Sequence, residues 1–126
     1  MDNTDLLLNG LATRVGLNNC SLCPAILKYL YIGEGTDENP MQIKANNSAI
    51  HNYLIENNDS YRESQNPLSL QIALRILENN GLVGKTYEND PDSERQIELY
   101  QISTEGINHI TNDRFDNNQR LTLTYF

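Results

Sequence analysis

Two cysteines stand as Cys20-Ser-Leu-Cys23, the pair in this chain best placed for redox or metal chemistry. Pro24 follows at once and suits the first turn of a helix. A helix N-terminus lowers the pKa of a thiol beside it, which would favour a redox-sensing pair at Cys20 and Cys23. Zinc needs four ligands as a rule, and only His51 and His109 could add to the pair within one chain. A metal would therefore require cysteine pairs from two chains, and packed free thiols are the third reading of a single CxxC. The sequence leaves these three open, and the expectation is no metal and no cofactor.

A second set of polar residues lies further on. In PLSLQIALRILENN, residues 67–80, about 100° per residue puts Gln71, Arg75, Glu78 and Asn79 on one arc. Leu70, Ala73, Leu74 and Leu77 form a core stripe. Leu68, Ile72 and Ile76 form a second apolar row beside it, wider than a helix wetted by solvent needs. Gln side chains can pair with adenine and Arg side chains with guanine through two hydrogen bonds each. No nucleophile–base–acid set, phosphate-binding loop or dinucleotide fingerprint occurs, so the chain is not expected to be an enzyme.

These residues must be positioned by a single domain. At 126 residues and 14.4 kDa the chain can bury one modest core. Without Trp, that core is built from Leu, Ile and Tyr. NTDLLLNGLATRV should form an N-terminal helix over about 4–15, with Gly16 as its stop. PAILKYLYI is apolar nearly all round and reads as a buried helix, followed by the turn-rich GEGTDENP. MQIK reads as a short strand, NNSAIHNYLIENN as a helix, and NDSYRESQN as a polar loop. The helix from Pro67 ends at Gly81, where a left-handed backbone favours glycine. LVGKTYE and ERQIELYQI then read as paired strands joined by NDPDS, with Pro91 and Asp92 suited to the turn. Ser103 or Thr104 should cap a last helix with Glu105 in its first turn. Ile107, Ile110 and Phe115 supply its apolar side, and LTLTYF at the end alternates as a strand does.

Helix, two-stranded ribbon and returning helix in this order point to a winged helix-turn-helix. PLSLQIALRILENNGLV resembles the recognition helix and first wing strand of MarR- and PadR-like regulators, through Leu77, Glu78, Gly81, Leu82 and Val83. YQISTEG, residues 100–106, is similar to the Tyr-x-Leu-Thr-x-x-Gly run that closes the wing in those families. The resemblance covers about residues 22–115 and is sharpest from Asn66 to Ile110. It implies an α+β, mainly helical fold with a two- to three-stranded wing sheet. The helix-turn-helix and wing would span about 22–102, and a C-terminal helix and tail 103–126.

The resemblance also implies a DNA-binding transcriptional regulator. Its groove-facing positions fall on Leu68, Ser69, Gln71, Ile72 and Arg75, with Lys85 and Arg95 at the wing base against phosphate. Double-stranded DNA is then the expected partner of Ser69, Gln71, Arg75, Lys85 and Arg95. A homodimer is expected through the N-terminal helix, the last helix or the LTLTYF tail.

Charge argues on the other side. The formal net charge is -8, with nine Lys and Arg scattered singly against seventeen Asp and Glu. Such a body repels a duplex at long range, and only a local basic patch would bind it. Glu88, Asp90, Asp92 and Glu94 crowd the wing tip. The alternative is therefore an acidic winged-helix module that binds a protein partner through Leu68, Ile72 and the wing. No apolar run reaches the roughly 18–20 residues of a membrane span, and MDNTDLLLNG lacks the features of a signal peptide, so a cytoplasmic location is expected.

Overall fold

The structure, a computed structural model, describes residues 3–111. The strand expected at LTLTYF, and Phe115 of the expected last helix, lie outside the described residues. The fold is α+β and mainly helical. In chain order it comprises α1 (Asn3–Val15), a 3-10 turn (Leu17–Asn19), α2 (Leu22–Ile32), α3 (Asn47–Asn57), α4 (Asp59–Ser64), α5 (Pro67–Asn79), β1 (Val83–Asn89) and β2 (Gln96–Ile102). A further helix, α6, occupies 104–111.

Asparagine, abundant in the sequence, sets three helix starts. The Asn46 carboxamide oxygen accepts from the Ala49 N–H at 2.8 Å and begins α3. Asn58 does the same for Tyr61 at 2.9 Å and begins α4. Asn66 accepts from Leu68 at 3.0 Å and begins α5, with Pro67 in the first turn. Each cap satisfies an otherwise orphaned N–H and stabilises its helix by about 1 kcal/mol.

Residues 58–66, expected as a polar loop, contain α4 instead. The Arg62 guanidinium reaches back to the end of α3, donating to the Ile55 carbonyl at 2.6 Å and the Glu56 carbonyl at 2.8 Å. Tyr61 is buried, and its hydroxyl lies 2.7 Å from His51 Nδ1 on α3. Neither contact has a periodic signature in the sequence. The start of α2 also differs: the helix begins at Leu22, two residues ahead of Pro24. Proline is tolerated there because N–H groups of the first turn have no intrahelical acceptor.

β1 and β2 form an antiparallel pair, with Val83 opposite Ile102 and Asn89 opposite Gln96. MQIK does not form a strand. Met41 makes an isolated bridge to Gly33, and the residue that joins the hairpin is Ala45. Ala45 and Tyr100 exchange backbone hydrogen bonds of 3.0 and 2.8 Å, so a third, one-residue contributor borders β2. The core lies between α2, α3, α5 and this ribbon. Ile26, Leu27 and Leu30 of α2 meet Ile50, Leu54, Leu70, Leu74, Ile76 and Leu77, all essentially inaccessible to solvent. Full burial of such side chains contributes about 1.5–3 kcal/mol each.

Ser103 fastens the far end of the ribbon. Its hydroxyl donates to the Gly81 carbonyl at 2.6 Å, and its oxygen accepts from the Gly106 N–H at 2.9 Å. One side chain thus caps α6 and ties it to the turn after α5. Gly81 itself has φ 72°, the left-handed conformation expected of it.

Candidate functional site

The polar arc of α5 opens into a cleft of about 490 Å³. Gln71, Leu74, Arg75 and Glu78 line one wall from α5, and Lys85, Tyr87, Glu98 and Tyr100 line the opposite wall from the hairpin. Asp5 and Leu8 of α1 also face it, as does Asn47 at the start of α3. Three carboxylates (Asp5, Glu78, Glu98) therefore meet two cations (Arg75, Lys85) around one concave surface.

α1 packs against α5, and its contacts go to the cation of the arc. Arg75 Nη1 donates to the Asn9 side-chain oxygen at 2.8 Å, and Nη2 lies 3.4 Å from the Asp5 carboxylate. Asp5 and Asn9 stand one helical turn apart, so both point to the same guanidinium. Leu8 and Ala12 are buried beside them. The result leaves the Arg75 side chain only 19% exposed. Two of the guanidinium's nitrogens are thus engaged by α1.

Lys85 is held more loosely. Its ammonium lies 3.6 Å from Glu78, 3.9 Å from Glu98 and 5.9 Å from the centre of the Tyr100 ring. Burial, then the nearby Glu78 and Glu98 carboxylates, push the Tyr100 phenol well above its ordinary pKa, so it stays neutral. Tyr100 is thus an uncharged floor beneath Lys85.

Of the other sequence-predicted positions, Gln71 shares the cleft, whereas Ser69 and Arg95 do not. Gln71 is exposed in the cleft. Ser69 is turned onto its own helix, donating to the Asn66 carbonyl at 2.7 Å. Arg95 is exposed at the hairpin turn, outside the cleft lining. In that turn the Asp90 carboxylate accepts from the Asp92 N–H at 3.0 Å and from the Ser93 hydroxyl at 2.7 Å. Those bonds, the backbone one foremost, hold the Asp90 carboxyl below its ordinary pKa and keep the tip anionic. The second apolar row of α5 is split: Ile76 is buried, Ile72 half-buried, and Leu68 43% exposed.

Cys20 and Cys23 are joined as a disulfide, with Cα atoms 5.5 Å apart. Cys23 is buried in the core, whereas Cys20 is half-buried. Among the described residues no group of three or more His, Cys, Asp or Glu side chains is placed to hold a metal. No helix among them is long and apolar enough to cross a membrane.

Sequence reasoning put Gln71 and Arg75 on one helical face and Lys85 on the hairpin, but missed Asp5, Asn9, Tyr87 and Glu98. Asp5 and Asn9 lie 70 and 66 residues from Arg75, and the one available signal was their shared helical face. A scan against protein-family models finds no match to the chain, and a search of curated proteins finds none either.

Proposed function

We propose that this chain is a winged helix-turn-helix domain that binds double-stranded DNA in transcriptional regulation, and that α1 must withdraw from α5 for it to do so. The fold part of the reading is supported by topology. α2, the Ala45 bridge, α3, α5 and the β1–β2 hairpin come in the order helix, short strand, helix, helix and wing, with the six-residue α4 in the connection between α3 and α5. α5 is then the recognition helix, in keeping with the likeness to MarR- and PadR-like regulators.

The observation that carries the functional part is the convergence of Gln71, Arg75 and Lys85 on one concave surface between helix and hairpin. Gln71 and Arg75 offer bidentate base contacts, and Lys85 offers a phosphate contact. Arg95, exposed at the hairpin turn, adds a second cation on the same ribbon. With α1 in place the surface holds three carboxylates against two cations. Withdrawal of α1 removes Asp5 and leaves the charges balanced, with Arg75 uncovered. The domain would act as a homodimer, each chain presenting one α5 to half of a site. No catalytic step is assigned.

A duplex titration of the Asp5→Ala/Asn9→Ala variant against the parent protein tests this. The variant loses one negative charge and both Arg75 partners, and should bind random duplex DNA about tenfold more tightly at low salt. That affinity should fall steeply as salt rises, as release of counterions from phosphate contacts requires. No binding by either protein at low salt would contradict the reading.

A second reading rests on the same pairs seen differently. Arg75 and Lys85 are both engaged by carboxylates, the hairpin tip is anionic, and Leu68 is exposed beside half-buried Ile72. An acidic winged-helix module that binds protein through Leu68, Ile72 and the hairpin would need none of its cations free. Absence of duplex binding in the titration above would favour it.

A further inference from the structure

We infer that the Cys20–Cys23 disulfide is a redox latch that holds α1 over α5, and that its reduction releases α1. The connection between α1 and α2 is short and internally bonded. Gly16 N–H donates to the Ala12 carbonyl at 2.9 Å, and the Asn19 side chain donates to the Val15 carbonyl at 3.0 Å. Cys20 N–H then closes the 3-10 turn on Leu17 at 3.3 Å. The disulfide joins the end of that turn to the first turn of α2.

Cys23 fixes the other end of the latch. It is 1% exposed, and its sulfur lies 3.7 Å from the Ala73 carbonyl of α5. The covalent closure therefore ties Cys20, at the end of the 3-10 turn that follows α1, to a residue anchored beneath α5. It fixes the exit of α1 beside α5, where Asp5 and Asn9 reach Arg75. With the bond open, the turn is held by a few backbone hydrogen bonds and the exposed Asn19 side-chain bond to Val15. Such bonds are the weakest units in local opening.

Cys20 is the more exposed residue of the pair, half-buried against the buried Cys23. A thiolate of a small-molecule thiol attacks Cys20 Sγ, breaking the Sγ–Sγ bond and expelling the Cys23 thiolate, which takes up a proton. A second thiolate then attacks the reductant's sulfur in the resulting mixed disulfide and expels the Cys20 thiolate, which also takes up a proton. The protein gains two electrons and two protons as two thiols, and the two reductant molecules leave as their disulfide. Oxidation by a disulfide reverses the sequence.

The consequence for DNA rests on the reading of α5 as a recognition helix, but the latch itself does not. Hydrogen exchange on the full chain, oxidised and after treatment with dithiothreitol, separates the two. Amides of α1 should exchange about tenfold faster in the reduced protein, while those of α3 stay unchanged. Cys20→Ser, a change at the half-buried end that spares the packed Cys23, should exchange like the reduced parent with or without reductant. Equal α1 exchange in oxidised and reduced parent would overturn the latch, as would oxidised-like protection in Cys20→Ser. If α1 opens on reduction and no duplex binds in either state, the latch stands and the DNA reading falls.

Discussion

Truncation of Leu77 to alanine should cost about 2–5 kcal/mol of stability, the range for a large buried aliphatic side chain removed from a packed core. Leu77 has no solvent exposure and sits among the buried side chains of α2, α3 and the ribbon. A cavity there cannot collapse easily, because Leu82 N–H is bonded to the Leu77 carbonyl at 2.9 Å and fixes the backbone on both sides of the turn. Against the roughly 5–15 kcal/mol total of a typical domain, that loss is large. Denaturant unfolding should show a lower midpoint with an unchanged slope. Ile72→Ala, five residues earlier and half-buried, should cost clearly less. Equal losses at the two positions would mean that the second apolar row of α5 belongs to the core as fully as the first.

Gly106→Ala should destabilise the fold by about 1–3 kcal/mol, the cost of overpacking a close contact. The sign makes this informative, since glycine to alanine within a helix ordinarily stabilises by about 1 kcal/mol. At 106 a β-carbon would collide with the Leu82 carbonyl and crowd the Ile102 side chain, so α6 would have to lift from the ribbon. Gly10 in α1 provides the contrast, because a β-carbon there meets nothing within 4 Å. Gly10→Ala should therefore raise the thermal midpoint while Gly106→Ala lowers it. A rise in both would show that α6 does not depend on close approach at Leu82.

The parts of the fold legible in the sequence are those dictated by neighbours in the chain. Pro67, the apolar stripe and Gly81 bound α5 within a residue or two, and the two strand-like runs paired as expected. Ser103 was one of two candidate caps, and the Gly81 carbonyl above it shows why it was chosen. α4 was not legible because its stability comes from Asn58 capping, Tyr61 burial and the reach of Arg62 to α3, none of which has a period. MQIK had the alternation of a strand, but the partner that decides pairing is the Tyr100 backbone, and it meets Ala45 instead.

The candidate site was half legible for the same reason. Helical spacing put Gln71 and Arg75 on one face, yet it gave no hint that α1 would lie along α5 and engage Arg75. The width of the apolar surface on α5 was a signal of some cover, and α1 supplies part of it while Leu68 stays exposed. The CxxC left thiol, redox and metal readings open. Only the three-dimensional course of the chain places its sulfurs together, one of them against α5.

The claim that α5 and the hairpin face DNA is tested most directly by residue-resolved NMR of the isotope-labelled chain, titrated with duplex DNA at low salt in the presence of reductant. The account predicts amide shifts concentrated at Gln71 and Arg75 on α5 and at Lys85 and Arg95 on the hairpin, together with loss of the α1 contacts at Asp5 and Asn9. A spectrum that does not change, or changes confined to other surfaces, would contradict it.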